Sequence, residues 1–242
     1  SATLGALKSN RVERIRRLDV SVRIGTPKLD NYHRMAGDRA RFTGGITIPI
    51  EDNPAAIRRH LWLETDRVYR LAAERLIKVR SNQQMKAAEE DDSDDFSAEE
   101  PEQYSEPVRR LSFPTSEAAA RVRKWSAVFA QHPLIVSSQA ALTARREIRY
   151  FVNTEGARIQ HGRGYANINL YGRGKAADGM DIAASDGFEA EDYAGLPGDK
   201  EVLAAAERLA ADVDGMLRAP LVEPFVGPAI LSGRAAAVLF HE

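Results

Sequence analysis

The sequence predicts an α+β fold, with antiparallel sheets packed against helices and two α/β subdomains separated by an acidic loop. Three observations carry that prediction. Apolar residues recur at helical spacing in three long blocks, from Pro54 to beyond residue 80, from Ala118 to Phe129, and from Val202 to Met216. They alternate with period two around 18–24, 148–152 and 165–171, the mark of half-buried strands. Turn residues separate the later strand patterns at short intervals, so those strands form an antiparallel meander without helical crossovers. The element order reads β, α, α, β-meander, α, β, α. Residues 1–131 are expected to form an N-terminal α+β domain with a long helix pair and the acidic loop. Residues 132–242 are expected to hold the meander and the helices that lead to the chain's last residues.

Residues 3–24 read as a β-hairpin, with Lys8-Ser9-Asn10 as its turn and Leu18, Val20, Val22 and Ile24 alternating with polar neighbours. A polar loop follows, and Gly44-Gly45 leads into Ile46-Thr47-Ile48. Asp52-Asn53-Pro54 starts a helix. Asn53 can cap it, and Pro54 suits the first helical position, where its missing N–H matters least. Ile57, Leu61, Val68, Ala72, Leu76 and Val79 then mark one face.

Residues 87–107 read AAEEDDSDDFSAEEPEQYSEP. A block this acidic repels itself, which predicts a mobile loop or linker between two helices. Its sharper reading is an acidic docking segment for a basic partner. The second helix presents Ala118, Val122, Trp125 and Phe129. Strands follow at 133–138, 148–152, 165–171 and 180–184, with turns at Asn153–Gly156 and Asp186-Gly187. Asp199 is placed as the cap of a third helix, whose stripe is Val202, Ala206, Leu209, Val213 and Met216. Ser232 caps the last helix, which runs towards Glu242.

Composition narrows the function. The chain has 34 basic and 35 acidic residues and a net charge of -1. That balance argues against a broad nucleic-acid footprint, which needs clustered Lys and Arg. No apolar run reaches the roughly 18 residues of a membrane span. With no cysteine, the chain forms no disulfide and offers no thiolate to a metal. The opening SATLGALKSN has neither an initiator Met nor a signal-peptide pattern, so a native start upstream is expected.

The chemistry-bearing candidates are few. His241-Glu242 ends the last helix, and zinc proteases often begin their metal motif with such a pair. There, a second His four residues on shares the helix face, and the Glu serves as general base. His33, His60, His132 and His161 lie apart and read as surface or lightly buried imidazoles. His161-Gly-Arg-Gly and Gly172-Arg-Gly-Lys175 complete no phosphate loop and read as hairpin turns. Arg16-Arg17, Arg145-Arg146 and Arg149 either shield strand edges or bind an anion. No G-x-S-x-G elbow is present.

Several stretches resemble the TldD/PmbA family, the modulators of DNA gyrase. They are Arg149-Tyr-Phe-Val-Asn-Thr-Glu-Gly156, the Ala-rich helix Leu203–Leu217, Gly227-Pro-Ala-Ile-Leu-Ser232 and Ala235-Ala-Ala-Val-Leu-Phe-His-Glu242. Upstream, Gly45-Ile-Thr-Ile-Pro-Ile-Glu-Asp-Asn-Pro54 adds to the likeness, which covers most of the chain outside the acidic loop. The resemblance implies a zinc metallopeptidase that hydrolyses unfolded or extended peptides. A cytoplasmic location is expected, with a secreted or periplasmic one left open by the missing native start. The resemblance also implies a homodimer, or a heterodimer with a family paralogue, enclosing a cavity, with no nucleic acid and no membrane as partner. His241 maps to the first Zn²⁺ ligand and Glu242 to the general base, while a second His and a Cys follow later. The expected function is therefore the N-terminal part of such a peptidase, inactive as this fragment and holding no stoichiometric zinc. The alternative is a non-catalytic scaffold, dimerisation or peptide-binding domain.

Overall fold

The computed structural model describes residues 1–35, 45–85, 93–220 and 222–242. Its strands are β1 (Ala2–Thr3), β2 (Ala6–Leu7), β3 (Arg16–Leu18), β4 (Gly25–Thr26), β5 (Leu29–Asp30), β6 (Ile46–Ile48), β7 (Gln103–Ser105), β8 (Ile135–Val152), β9 (Arg158–Lys175) and β10 (Asp181–Ala190). Its helices are α1 (Pro54–Met85), α2 (Thr115–Ala127), α3 (Asp199–Leu217) and α4 (Gly233–His241). Helices and largely antiparallel strands make this an α+β fold, as the periodicities predict. Among the described residues no helix is long and apolar enough to cross a membrane. The chain gathers into two compact units. The first comprises Ser1–Asn10, Val108–Ile148 and Gly162–Glu242; the second comprises Arg11–Pro107 and Arg149–His161.

The first unit is built on strands in the order β10-β9-β8-β1-β2. β9 and β10 pair over ten positions, from Asp181 opposite Lys175 to Ala190 opposite Ala166. Ala166, Ile168 and Leu170 are buried, as their alternation requires. They pack with Val122, Trp125 and Phe129 from α2 and the 3-10 turn after it, and with Val202, Ala206, Leu209 and Val213 of α3. Alanines at 205, 206 and 210 are wholly buried, which keeps the α3 contact surface low and lets the helix lie close to the sheet.

Glycines in this sheet correct three expectations. His161-Gly-Arg-Gly, Gly172–Lys175 and Asp186-Gly187 are not turns; all lie inside β9 or β10. Their glycines serve close packing instead. A Cβ on Gly174 would meet Leu217 Cδ1 at 2.3 Å and the Leu134 carbonyl at 2.5 Å. One on Gly164 would meet the Glu191 carbonyl at 2.2 Å. The real β9–β10 turn is Ala176–Gly179, where Gly179 takes φ +89° and the Ala176 amide donates to the Met180 carbonyl at 2.9 Å.

The N-terminal hairpin also turns elsewhere than expected. Its turn is Leu4-Gly5, with φ of 47° and 82°, the left-handed pair of a two-residue hairpin loop. Lys8-Ser9-Asn10 instead closes the open end, where the Lys8 amide donates to the Ser1 carbonyl at 2.9 Å.

In the second unit β3 pairs with β6, and β4 with β5, all antiparallel. Beyond Leu18 the predicted strand keeps its alternating burial to Ile24 but joins no ladder among the described residues. Asn53 caps α1 as expected, its Oδ1 accepting from the Ala55 and Ala56 amides at 3.1 Å. Val68, Ala72, Leu76 and Val79 are buried; Leu61 is exposed.

The acidic segment is anchored where it is described. Residues 86–92 lie outside the described residues. From 93 onward, Asp95 accepts from the Asp30 amide at 2.8 Å and pairs with His33 Nδ1 at 2.7 Å. The Arg23 guanidinium stacks on the Tyr32 and Phe96 rings, 4.7 and 4.8 Å from their centroids. Further on, β7 pairs in parallel with the start of β9, Gln103 opposite Arg158. Charge density predicted a mobile linker, yet the Asp95 carboxylate is hydrogen-bonded to the Asp30 amide and the His33 ring and its own amide donates to the Pro27 carbonyl, so the segment is tied down there.

Candidate metal centre

α4 begins after Ser232, at the position the sequence assigns. Ser232 takes an extended backbone conformation, and its carbonyl accepts from the Ala236 amide at 2.8 Å. Its hydroxyl makes no capping bond. The helix ends with the Glu242 amide donating to the Val238 carbonyl at 3.2 Å. His241 and Glu242 are both exposed. Their neighbours Val238, Leu239 and Phe240 are exposed as well, Phe240 to 88%.

A tetrahedral zinc ion in a catalytic site needs about three protein ligands. Among the described residues no group of three or more His, Asp and Glu side chains is placed to hold a metal. His241 is thus placed as a single candidate ligand, with the Glu242 carboxylate next to it in sequence.

Of the other imidazoles, His132 and His33 have carboxylate partners. His132 Nδ1 lies 2.7 Å from Asp214 Oδ2, and its Nε2 lies 3.9 Å from Glu207. Those partners are 75 and more residues away, so spacing could not reveal them. His33 is held by Asp95. His161 sits within β9 and His60 on α1. Among the arginines, Arg16 donates to the Pro49 and Glu51 carbonyls at 3.1 and 2.9 Å and pairs with Asp52. Arg145 and Arg163 each lie 3.6 Å from Glu147. Arg16 and Arg145 therefore have carboxylate partners of their own, which weakens the anion-site reading for both.

Two constellations escaped sequence reasoning. The first surrounds Arg121 on α2. It donates to Asp199 Oδ1 and the Tyr193 hydroxyl at 3.0 Å and to the Pro197 carbonyl at 2.6 Å. Its guanidinium lies 4.8 Å from the centroid of Trp125 and 5.4 Å from that of Tyr193. Asp199, expected as a helix cap, is the first residue of α3; its carboxylate faces α2 and takes bonds from Arg121, Lys124 and Trp125. Burial raises the Asp199 carboxyl, but the Lys124 and Arg121 hydrogen bonds outweigh it and hold the group below its ordinary value. Burial pushes the Tyr193 hydroxyl up. Each strong donor and acceptor here is matched, so the network clamps structure and leaves no reactive group free.

The second is a polar groove of about 430 Å³ over β9 and β10, lined by Asn167, Asn169, Ser185, Gly187 and Glu189 among others. Period-two alternation puts Asn167 and Asn169 on the face opposite buried Ile168. The register sets Glu189 and Gly187 beside them.

Comparison with protein-family models, with curated proteins and with solved structures gives no match.

Proposed function

We propose that this chain is the N-terminal part of a zinc metallopeptidase of the TldD/PmbA kind, acting on unfolded or extended peptides in the cytoplasm. The observation that carries the reading is the helix α4, which starts after Ser232 and leaves His241 and Glu242 exposed at its end. On such a helix a residue four positions after His241 falls on the same face, where a second imidazole would complete the pair. Zinc, when bound, supplies a Lewis acid. Of this chain's residues, His241 would contribute one ligand and Glu242 would hold the proton as general base. The proposal includes a homodimer or a heterodimer with a paralogue; fully exposed Val226 and Ile230 and the exposed end of α4 support a covered surface there.

The test uses a protein extended through the second His and the Cys. Stoichiometric zinc, lost in His241→Ala, and cleavage of an unstructured peptide, lost in Glu242→Gln with zinc retained, are the expected results. A metal-free, inactive extended protein, or a gene with no His four residues after His241, would overturn the reading. The 242-residue chain alone is expected to bind no stoichiometric zinc.

A non-catalytic peptide-binding or dimerisation domain is the second reading. It is favoured by His241 having no further ligand among the described residues. An extended protein that binds unstructured peptide without cleaving it would decide for this reading.

A further inference from the structure

The polar face of β9 and β10 has no part in the peptidase reading. Along β9, Arg163, Tyr165, Asn167, Asn169, Tyr171 and Arg173 alternate with the residues that face the core. Across from them the register places Glu189, Gly187 and Ser185. Gly187 has no side chain to fill the floor between Ser185 and Glu189, and close strand approach requires glycine there, since a Cβ would lie 2.5 Å from the Ile168 carbonyl.

The charged side chains on this face already have partners. Tyr165 donates to Glu189 at 2.8 Å, Arg163 lies 3.6 Å from Glu147, and Arg173 lies 4.0 Å from Asp181. By contrast, among the described residues, the side chains of Asn167, Asn169, Tyr171 and Ser185 make no hydrogen bond within the chain. Each Asn amide offers two donors and an acceptor, and each hydroxyl offers both. A tyrosine stands at either end of the Asn pair, roughly 20 Å apart at about 3.3 Å per residue.

We infer that this face binds a neutral, polyhydroxylated ligand, a linear oligosaccharide, lying along β9. An anion would meet Glu189 and Glu147, and a cation would meet Arg163 and Arg173. A chain of hydroxyls meets donors and acceptors in the mixture it needs, with the tyrosine rings beside its apolar faces. The groove volume lies within the range usual for small-ligand sites.

The test titrates the full chain with maltotetraose and with chitotetraose by calorimetry, alongside Asn167→Ala/Asn169→Ala. These side chains are not buried, and matched thermal unfolding of the variant confirms that it folds. Saturable binding of at least one tetrasaccharide, weakened about tenfold or more in the double variant, is the expected result, from the loss of several hydrogen bonds. Binding of neither sugar up to about 10 mM, near the weak limit of specific affinity, overturns the inference. So does binding that the double variant leaves unchanged. Sedimentation showing a dimer that the double variant dissociates also overturns it, because the face would then be covered by a second copy.

Discussion

Arg121 Nε donates to Asp199 Oδ1 at 3.0 Å, joining α2 to the first turn of α3 across 78 residues of sequence. The same guanidinium holds the Tyr193 hydroxyl and the Pro197 carbonyl in the segment leading into α3. Arg121 thus fixes where α3 starts, and α3 in turn covers the core face of β9 and β10.

Arg121→Met should destabilise the protein by about 2 kcal/mol. It keeps part of the contact with Trp125 but takes the Arg121 donor from the Pro197 carbonyl and one of two donors from Asp199 Oδ1. Lys124 and Trp125 still reach Asp199, which limits the loss. Equilibrium urea unfolding measures it; an unchanged midpoint would show the clamp to be passive.

The same pair sets an acid limb of stability. Asp199 titrates below its ordinary value of 3.8 in the fold and near that value when unfolded. Stabilisation from a depressed carboxyl is complete above the unfolded value and is lost as pH falls through the folded one. Asp52 beside Arg16 and Glu64 beside Arg67 shift the same way. The urea midpoint should therefore hold steady between about pH 7 and 5 and fall below about pH 4. Asp199→Asn should be less stable at neutral pH and show a shallower fall.

Two glycines separate packing from backbone freedom. Gly179 has φ +89° and nothing within 4 Å of a built Cβ, so Gly179→Ala should cost only about 1 kcal/mol of left-handed strain. Gly174→Ala drives a methyl into Leu217 and the Leu134 carbonyl and should cost about 3 kcal/mol, or prevent folding. Thermal unfolding ranks the two; equal effects would contradict the close approach of α3 to β9.

Leu4 is a branched residue at φ 47° in a two-residue hairpin turn, and its side chain is half exposed. Leu4→Asn makes the turn Asn-Gly and should stabilise the chain by about 0.5–1 kcal/mol. A fall in thermal midpoint would show that the Leu4 side chain contributes more than its backbone strain removes.

His241→Ala should leave the urea midpoint of this chain within about 0.5 kcal/mol, because an exposed residue at a helix end carries little packing. A larger loss would mean that the imidazole serves the fold before it serves a metal.

The α+β class, the course of α1, the buried stripe of α3 as far as Val213 and the start of α4 were legible because they rest on local rules; Met216, read into that stripe, is exposed, and Leu217 is buried instead. Spacing of 3.6 or 2, an Asn before a Pro, and a Ser before a small-residue helix act within a few residues. The face of β9 was legible, since Ala166, Ile168 and Leu170 alternate into the core as read; at 148–152 it was not, since Tyr150 and Val152 are exposed along with Phe151. His241 and Glu242 could be placed on α4, but neither ligand geometry nor activity follows from their being there.

Sequence alone determined the periodicities, and with them the helices and the buried face of β9. Tertiary structure decided what each ambiguous residue is for. A Gly inside β9 or β10 reads as a turn until the side chain opposite it is known; Leu217 lies 43 residues from Gly174. Asp199 reads as a cap until Arg121 is brought to it, and Asp95 reads as one charge among many until His33 and the Asp30 amide enclose it. The physical reason is the same in each case. Close contact and charge pairing act over a few ångströms in space, and only folding decides which distant residues come that near.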